Sequence, residues 1–131
     1  MKQPLSYVHP SAKVAKNVVI DPFTSIDGDV EIGEGTWIGS NVSIMDGARI
    51  GKNCNIYPGA VISANPQDLK YNNEVTYAII GDNVTIRECA TINKGTSDRG
   101  KTVIGDNCLI MAYSHLAHDC FVGKNCIFSN N

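Results

Sequence analysis

The 131-residue chain has no apolar run approaching the roughly 18 residues needed to span a bilayer. Its opening stretch, MKQPLSYVHP, lacks the apolar core of a secretory signal. Lys and Arg are scattered and the net charge is -2, which argues against a nucleic-acid or anionic-membrane footprint. No C-x-x-C pair occurs among the five cysteines, so neither a redox motif nor a zinc ribbon is signalled. Helix start and stop signals are absent throughout. Histidine is scarce as well: three residues, two of them in the stretch HLAHDC at 115–120. What remains is 43% hydrophobic and 18% charged, the balance of a globular domain and not of a disordered one. The absence of a signal and of paired cysteines points to a cytoplasmic protein.

A strict repeat fills the chain. From Val8 in steps of six come Val14, Ile20, Ile26, Ile32, Ile38, Ile44, Ile50, Ile56 and Ile62, then Ile80, Ile86, Ile92, Ile104, Ile110, Leu116, Val122 and Phe128. Of the 21 positions in this phase 18 are apolar, and the exceptions are Asp68, Glu74 and Asp98. Four residues after each key position the residue is usually small, such as Ala12, Thr24, Thr36, Cys54, Ala78 or Thr96. Glycine often follows the key residue directly, as at Gly33, Gly51, Gly81 and Gly105, with Asp and Asn nearby in the turns. A period of six matches neither a helix at 3.6 nor a free strand at 2. It fits short strands joined by turns, a parallel β-solenoid in which three hexapeptides make a coil. Eighteen regular repeats then give about six coils of an all-β domain spanning residues 1–131.

Two excursions interrupt the pattern, at about 64–79 (ANPQDLKYNNEVTYAI) and near 96–103 (TSDRGKTV). Polar loops on a rigid scaffold commonly carry binding residues, and Lys70 would suit a phosphate, Asp68 a hydroxyl or amide. Cys54, Cys108, Cys120 and Cys126 fall in the small inward phase and read as core; Cys89 lies off it, without a role.

His118 falls in a phase shared with Lys16, Glu34, Asp46, Lys52, Asp82 and Lys124, so it is expected to face outward or at a corner. It is then a solvated surface residue or a functional one, either general base or metal ligand. A thiol nucleophile at Cys120 is disfavoured by its inward phase. A three-histidine metal site like that of the γ-class carbonic anhydrases, which share this repeat, is short of a ligand: His9 belongs to the first coil. The outward positions Trp37, Met45, Tyr57, Met111 and Tyr113 are apolar enough to suggest contact with other subunits.

The segment LIMAYSHLAHDCFVGKNCIFSNN (109–131), the excursion NPQDLKY (65–71) and the link TINKGT (91–96) closely resemble the acyl-[acyl-carrier-protein]–UDP-N-acetylglucosamine O-acyltransferases of the hexapeptide acyltransferase family. The resemblance runs from Tyr7 onward. It implies a left-handed coil, which the usual right-handed crossover rule would not have favoured. It implies transfer of a 3-hydroxyacyl chain from acyl carrier protein to the 3-hydroxyl of UDP-N-acetylglucosamine, the first step of lipid A biosynthesis. By the same token it implies a homotrimer; with the third ligand missing, no metal is expected, nor any other cofactor. His118 matches the family's general base and Asp119 the acid beside it. His115, Asp68 and Lys70 match substrate-contacting positions, with Gln67 beside them, and Asn93 stands where some members carry histidine.

Family members continue through further coils into a C-terminal helical domain, so this sequence is expected to be a truncated portion lacking both. Competing readings are a related N-acyltransferase acting on an acylated UDP-glucosamine, a carbonic-anhydrase-like metalloenzyme, and a structural solenoid such as an ice-binding face. The last requires a regular Thr-x-Thr array that the irregular outward phases do not supply.

Overall fold

A large apolar residue, most often isoleucine, recurring every six positions decides the shape of the molecule. The computed structural model describes residues 4–131. Among them are eighteen strands of two to four residues and no helix, arranged as three six-stranded parallel sheets. Strands this short have no independent stability. Each is held by the strand three strands away along the chain, in the coil below, the coil above or, inside the sheets, both. The result is a left-handed parallel β-helix of six coils, in which the expected solenoid, its coil number and its two loop excursions are all present.

One face stacks Tyr7–Val8, Ser25–Ile26, Ser43–Ile44, Val61–Ala64, Thr91–Asn93 and His115–Leu116. The second stacks Lys13–Val14, Glu31–Ile32, Ala48–Ile50, Tyr77–Ile80, Lys101–Ile104 and Phe121–Val122. The third begins at Val19–Ile20 and ends at Ile127–Phe128. Registers align key residue on key residue: Val8 on Ile26, Ile26 on Ile44, Ile44 on Ile62, Ile62 on Ile92, Ile92 on Leu116. The interior is therefore a ladder of isoleucines, with Ile26, Ile38, Ile56, Ile62, Ile86 and Ile110 fully buried. Each such side chain contributes about 1.5–3 kcal/mol of transfer free energy.

Close stacking explains the glycine after the key residue. A Cβ on Gly33 would sit 2.6 Å from the carbonyl carbon of Gly51 in the next coil. The turns recruit asparagine for left-handed backbone, with φ of 58° at Asn17, 57° at Asn41, 56° at Asn83 and 60° at Asn107. Two of the outward aromatics are partly covered within the chain. Trp37 and Tyr57 meet edge to face at 5.0 Å, Trp37 Nε1 donates to Asp21 Oδ2 at 2.9 Å, and the Arg87 guanidinium lies 4.3 Å over the Tyr57 ring.

The cysteines follow the repeat with one correction. Cys54 and Cys108 are buried, and burial pushes the Cys54 thiol up, as befits an inert core group. Cys120 shares their phase but is exposed, and Cys126 is half-buried. Both lie in the last coil, on which no strand among the described residues stacks, so a position covered elsewhere by the next coil is open here. Cys89 is an exposed turn residue at φ 59°.

The turn from the first face to the second positions everything that follows. The chain passes this corner once per coil. In the fourth coil it leaves as a loop over 65–76, in the fifth as a loop over 94–100, and in the sixth it makes the tight turn that holds His118 and Asp119. Strands Tyr77–Ile80 and Lys101–Ile104 begin two residues earlier than the sequence pattern suggests, so both loops are shorter at that end. Both excursions and HLAHDC thus occupy consecutive tiers of one corner.

Candidate active site

Asp68 and His118 are fifty positions apart in sequence and share one cleft. Its walls are Asp68, Lys70 and Glu74 from the first loop, Thr96, Ser97 and Asp98 from the second, and His118 from the tight turn. The cleft measures ≈ 380 Å³, within the range of small-molecule sites. Three carboxylates and one lysine line it, so a polar, hydroxyl-bearing ligand finds both acceptors and a cation.

His118 is held at one ring nitrogen and open at the other. Nδ1 lies 2.8 Å from Asp119 Oδ2, and Nε2 faces the cleft with Asp68 Oδ2 at 4.0 Å. Its side chain is 32% exposed, open enough to meet a ligand while fixed on one edge. Asp68 is anchored in turn: its Oδ1 accepts from the Lys70 amide at 2.9 Å, a local turn that leaves Oδ2 toward the imidazole.

Asp119 is the best-connected side chain in the site. It sits at φ 63°, and only 7% of its side chain is exposed. Oδ1 accepts from the Thr96 amide at 3.0 Å and the Arg99 amide at 3.3 Å, while Oδ2 accepts from the Thr96 hydroxyl and from His118. The Asp119 amide donates to Thr102 Oγ1 at 2.9 Å. Burial alone would push this carboxyl up. The donations from Thr96, His118 and Arg99 outweigh it and hold the group below the ordinary carboxylate value.

The other residues singled out by sequence lie elsewhere. His115 is exposed on the flat first face, where its Nδ1 lies 2.8 Å from Thr91 Oγ1 in the coil below. Gln67 is exposed, outside the walls of the cleft. Asn93 is 3% exposed and does not line the cleft; its Nδ2 and Glu74 Oε2 are buried without a hydrogen-bond partner. Among the described residues, no group of three or more His, Cys, Asp or Glu side chains is arranged to hold a metal ion. No helix of the described residues is long and apolar enough to cross a membrane. The sequence reading passed over Thr96 and Glu74. Thr96 occupies the small core phase, so its pattern reads as packing, and Glu74 reads as one charge among many in a polar loop.

Two family models match the chain: the GMPPB C-terminal domain over residues 2–98, and the bacterial transferase hexapeptide (six repeats) over 101–131. Among curated relatives, the acyl-[acyl-carrier-protein]–UDP-N-acetylglucosamine O-acyltransferase of Cupriavidus taiwanensis is 54% identical over 98% of this chain and 48% of its own length. The enzyme of the same name from Xylella fastidiosa is 51% identical over 98% and 49%. The chain thus spans about half the length of the curated relatives it matches. The solved UDP-N-acetylglucosamine acyltransferase of Bacteroides fragilis superposes with a TM-score of 0.96 at 50% identity, covering 97% of this chain and 50% of that one. That of Francisella novicida gives 0.92 at 45% identity, covering 95% and 46%.

Proposed function

The chain belongs to the β-helical family of the GMPPB C-terminal domain and matches the N-terminal half of the UDP-N-acetylglucosamine O-acyltransferases, and from this premise we propose that it serves their reaction. In this reading it transfers a 3-hydroxyacyl chain from acyl carrier protein to the 3-hydroxyl of UDP-N-acetylglucosamine, the first step of lipid A biosynthesis, in the cytoplasm and as a homotrimer. The observation that carries it is the orientation of His118, with Nδ1 bonded to Asp119 and Nε2 turned into the cleft beside Asp68.

The chemistry follows from donors and acceptors. An ionised Asp119 accepts only, so the proton between it and His118 resides on Nδ1 and the lone pair on Nε2. The sugar hydroxyl gives its proton to Nε2 as its oxygen attacks the thioester carbonyl. A C–O bond forms, the tetrahedral oxyanion is held by a backbone N–H, and collapse breaks the C–S bond. The imidazolium returns its proton to the departing thiolate. Asp119 stabilises the imidazolium through its existing bond, so no reorganisation is needed when charge appears. Asp68, and Lys70 beside it, orient the sugar nucleotide. Gln67, Asn93 and His115 remain in the proposal as substrate contacts completed outside this single-chain cleft.

The test is direct. The purified protein is incubated with 3-hydroxyacyl-acyl carrier protein and UDP-N-acetylglucosamine, and the O-acylated product is followed by mass spectrometry. Product that disappears with His118→Ala supports the reading. Product formed equally well by His118→Ala would remove His118 from the role of base, and acylation of an amine in place of a hydroxyl would reassign the acceptor.

A further inference from the structure

The small core phase holds several threonines, and most of their hydroxyls satisfy backbone groups. Thr24 Oγ1 donates to the Gly39 carbonyl, Thr36 Oγ1 donates to the Gly51 carbonyl at 2.9 Å, and Thr102 Oγ1 accepts from the Asp119 amide. Thr96 differs. It is 6% exposed, and its hydroxyl goes to a side chain, the Oδ2 of Asp119, the same oxygen that receives His118 Nδ1.

The direction of that bond is settled by its neighbours. The Asp98 amide reaches Thr96 Oγ1 at 3.1 Å and can only donate, so the hydroxyl oxygen accepts there. The hydroxyl proton is left for Asp119, whose ionised carboxylate can only accept. The Thr96 amide meanwhile donates to Asp119 Oδ1 at 3.0 Å. One residue of the second loop therefore grips both oxygens of the carboxylate and fixes its plane against the imidazole.

We propose that Thr96 is a positioning residue for the general base: by clamping both oxygens of Asp119 it locks His118 in its Nδ1–H tautomer, leaving Nε2 free toward the cleft. The proposal rests on the acyltransferase reading for its catalytic consequence, but not for its structural one. It also gives the second excursion a purpose. Its backbone turn brings the Thr96 and Arg99 amides and the Thr96 hydroxyl to the tier below His118.

Thr96→Val removes the hydroxyl and keeps the side-chain shape, and the amide of the exposed Asp98 can turn to water. With only three histidines in the chain, ring-nitrogen NMR resolves His118 directly. The wild type should show a single Nδ1–H tautomer at His118 and the Val variant a mixture. The turnover rate kcat for acyl transfer should fall by about 10-fold, the usual effect of losing a partner that orients an active group. KM should hold within about twofold, since Thr96 is only 6% exposed at the cleft wall and the lost hydroxyl serves Asp119. Thr96→Ser, which restores the hydroxyl, should recover both tautomer and rate. If the Val variant does not fold, Thr96→Ala replaces it with the same expectations. An unchanged tautomer and rate in the hydroxyl-less variant, or a Ser variant no better than it, would overturn the proposal. Absence of transfer by the wild-type protein would strike the acyltransferase reading alone, and the nitrogen shifts would still decide the role of Thr96.

Discussion

The Nδ1 atom of His118 lies 2.8 Å from Oδ2 of Asp119, its immediate neighbour in the chain. Adjacent residues on extended backbone point to opposite sides. Here Asp119 adopts φ 63°, and the left-handed turn swings its carboxylate back beneath the imidazole. The pair is thus a product of the corner, and four tests bear on the corner and its surroundings.

His118→Ala should reduce kcat by about 10²–10⁴-fold, the contribution of a positioned base. The side chain is one-third exposed and fills no core space, so the melting temperature should stay close to wild type. A thermal scan alongside the steady-state assay separates the two effects.

Asp119 should make stability depend on acidity. Its folded-state pKa is depressed, so the stabilisation is fully present above the unfolded value of about 3.9 and is lost as pH falls through the folded value below it. Asp119→Asn should therefore be less stable than wild type at pH 7, with the gap narrowing toward pH 3. Denaturant unfolding at both pH values is the measurement. A gap that widens with acid would mean that Asp119 is not held ionised.

The two thiols of shared phase should part company. Cys108→Ala deletes a buried sulfur and should cost about 1 kcal/mol. Cys120→Ala alters an exposed atom and should stay within about 0.5 kcal/mol, with acyl transfer retained. Transfer abolished by Cys120→Ala but kept by His118→Ala would make the turn a thiol site.

Assembly can be read from exposed apolar groups. Leu69 is fully exposed beside Asp68 and Lys70, and Val75, Tyr113 and Phe121 are also largely uncovered. Sedimentation at micromolar concentration should find a trimer, and Leu69→Asp should weaken it. A stable wild-type monomer would count against the subunit contact.

The solenoid was legible in the sequence because one residue type recurs at one spacing. Ile62 and Ile92 keep phase across twelve extra residues, and Ile92 and Leu116 across six, so neither excursion hides the repeat. His118 was placed correctly off the core by its polar phase-mates. Thr96 was hidden by the same logic: phase distinguishes inward from outward but does not say which partner a hydroxyl finds one coil away. Cys120 misled because exposure at the last coil depends on what stacks above a residue and not on where it falls in the repeat. Trp37 and Tyr57 looked bare for a related reason, since the edge-to-face contact joins neighbouring coils whose residues are twenty positions apart.

Because the chain returns to the same corner once per turn, the cleft is assembled by translation along a rod and not by the meeting of distant elements. Its three tiers are separated only by the inter-strand rise of about 4.8 Å. Each rests on the tier beneath, and none depends on the first coil for its position. Shortening the rod by its first eighteen-residue turn would move the cleft bodily along the axis without altering a distance inside it. The molecule is modular in the manner of a ladder, whose upper rungs keep their spacing when a lower one is sawn off.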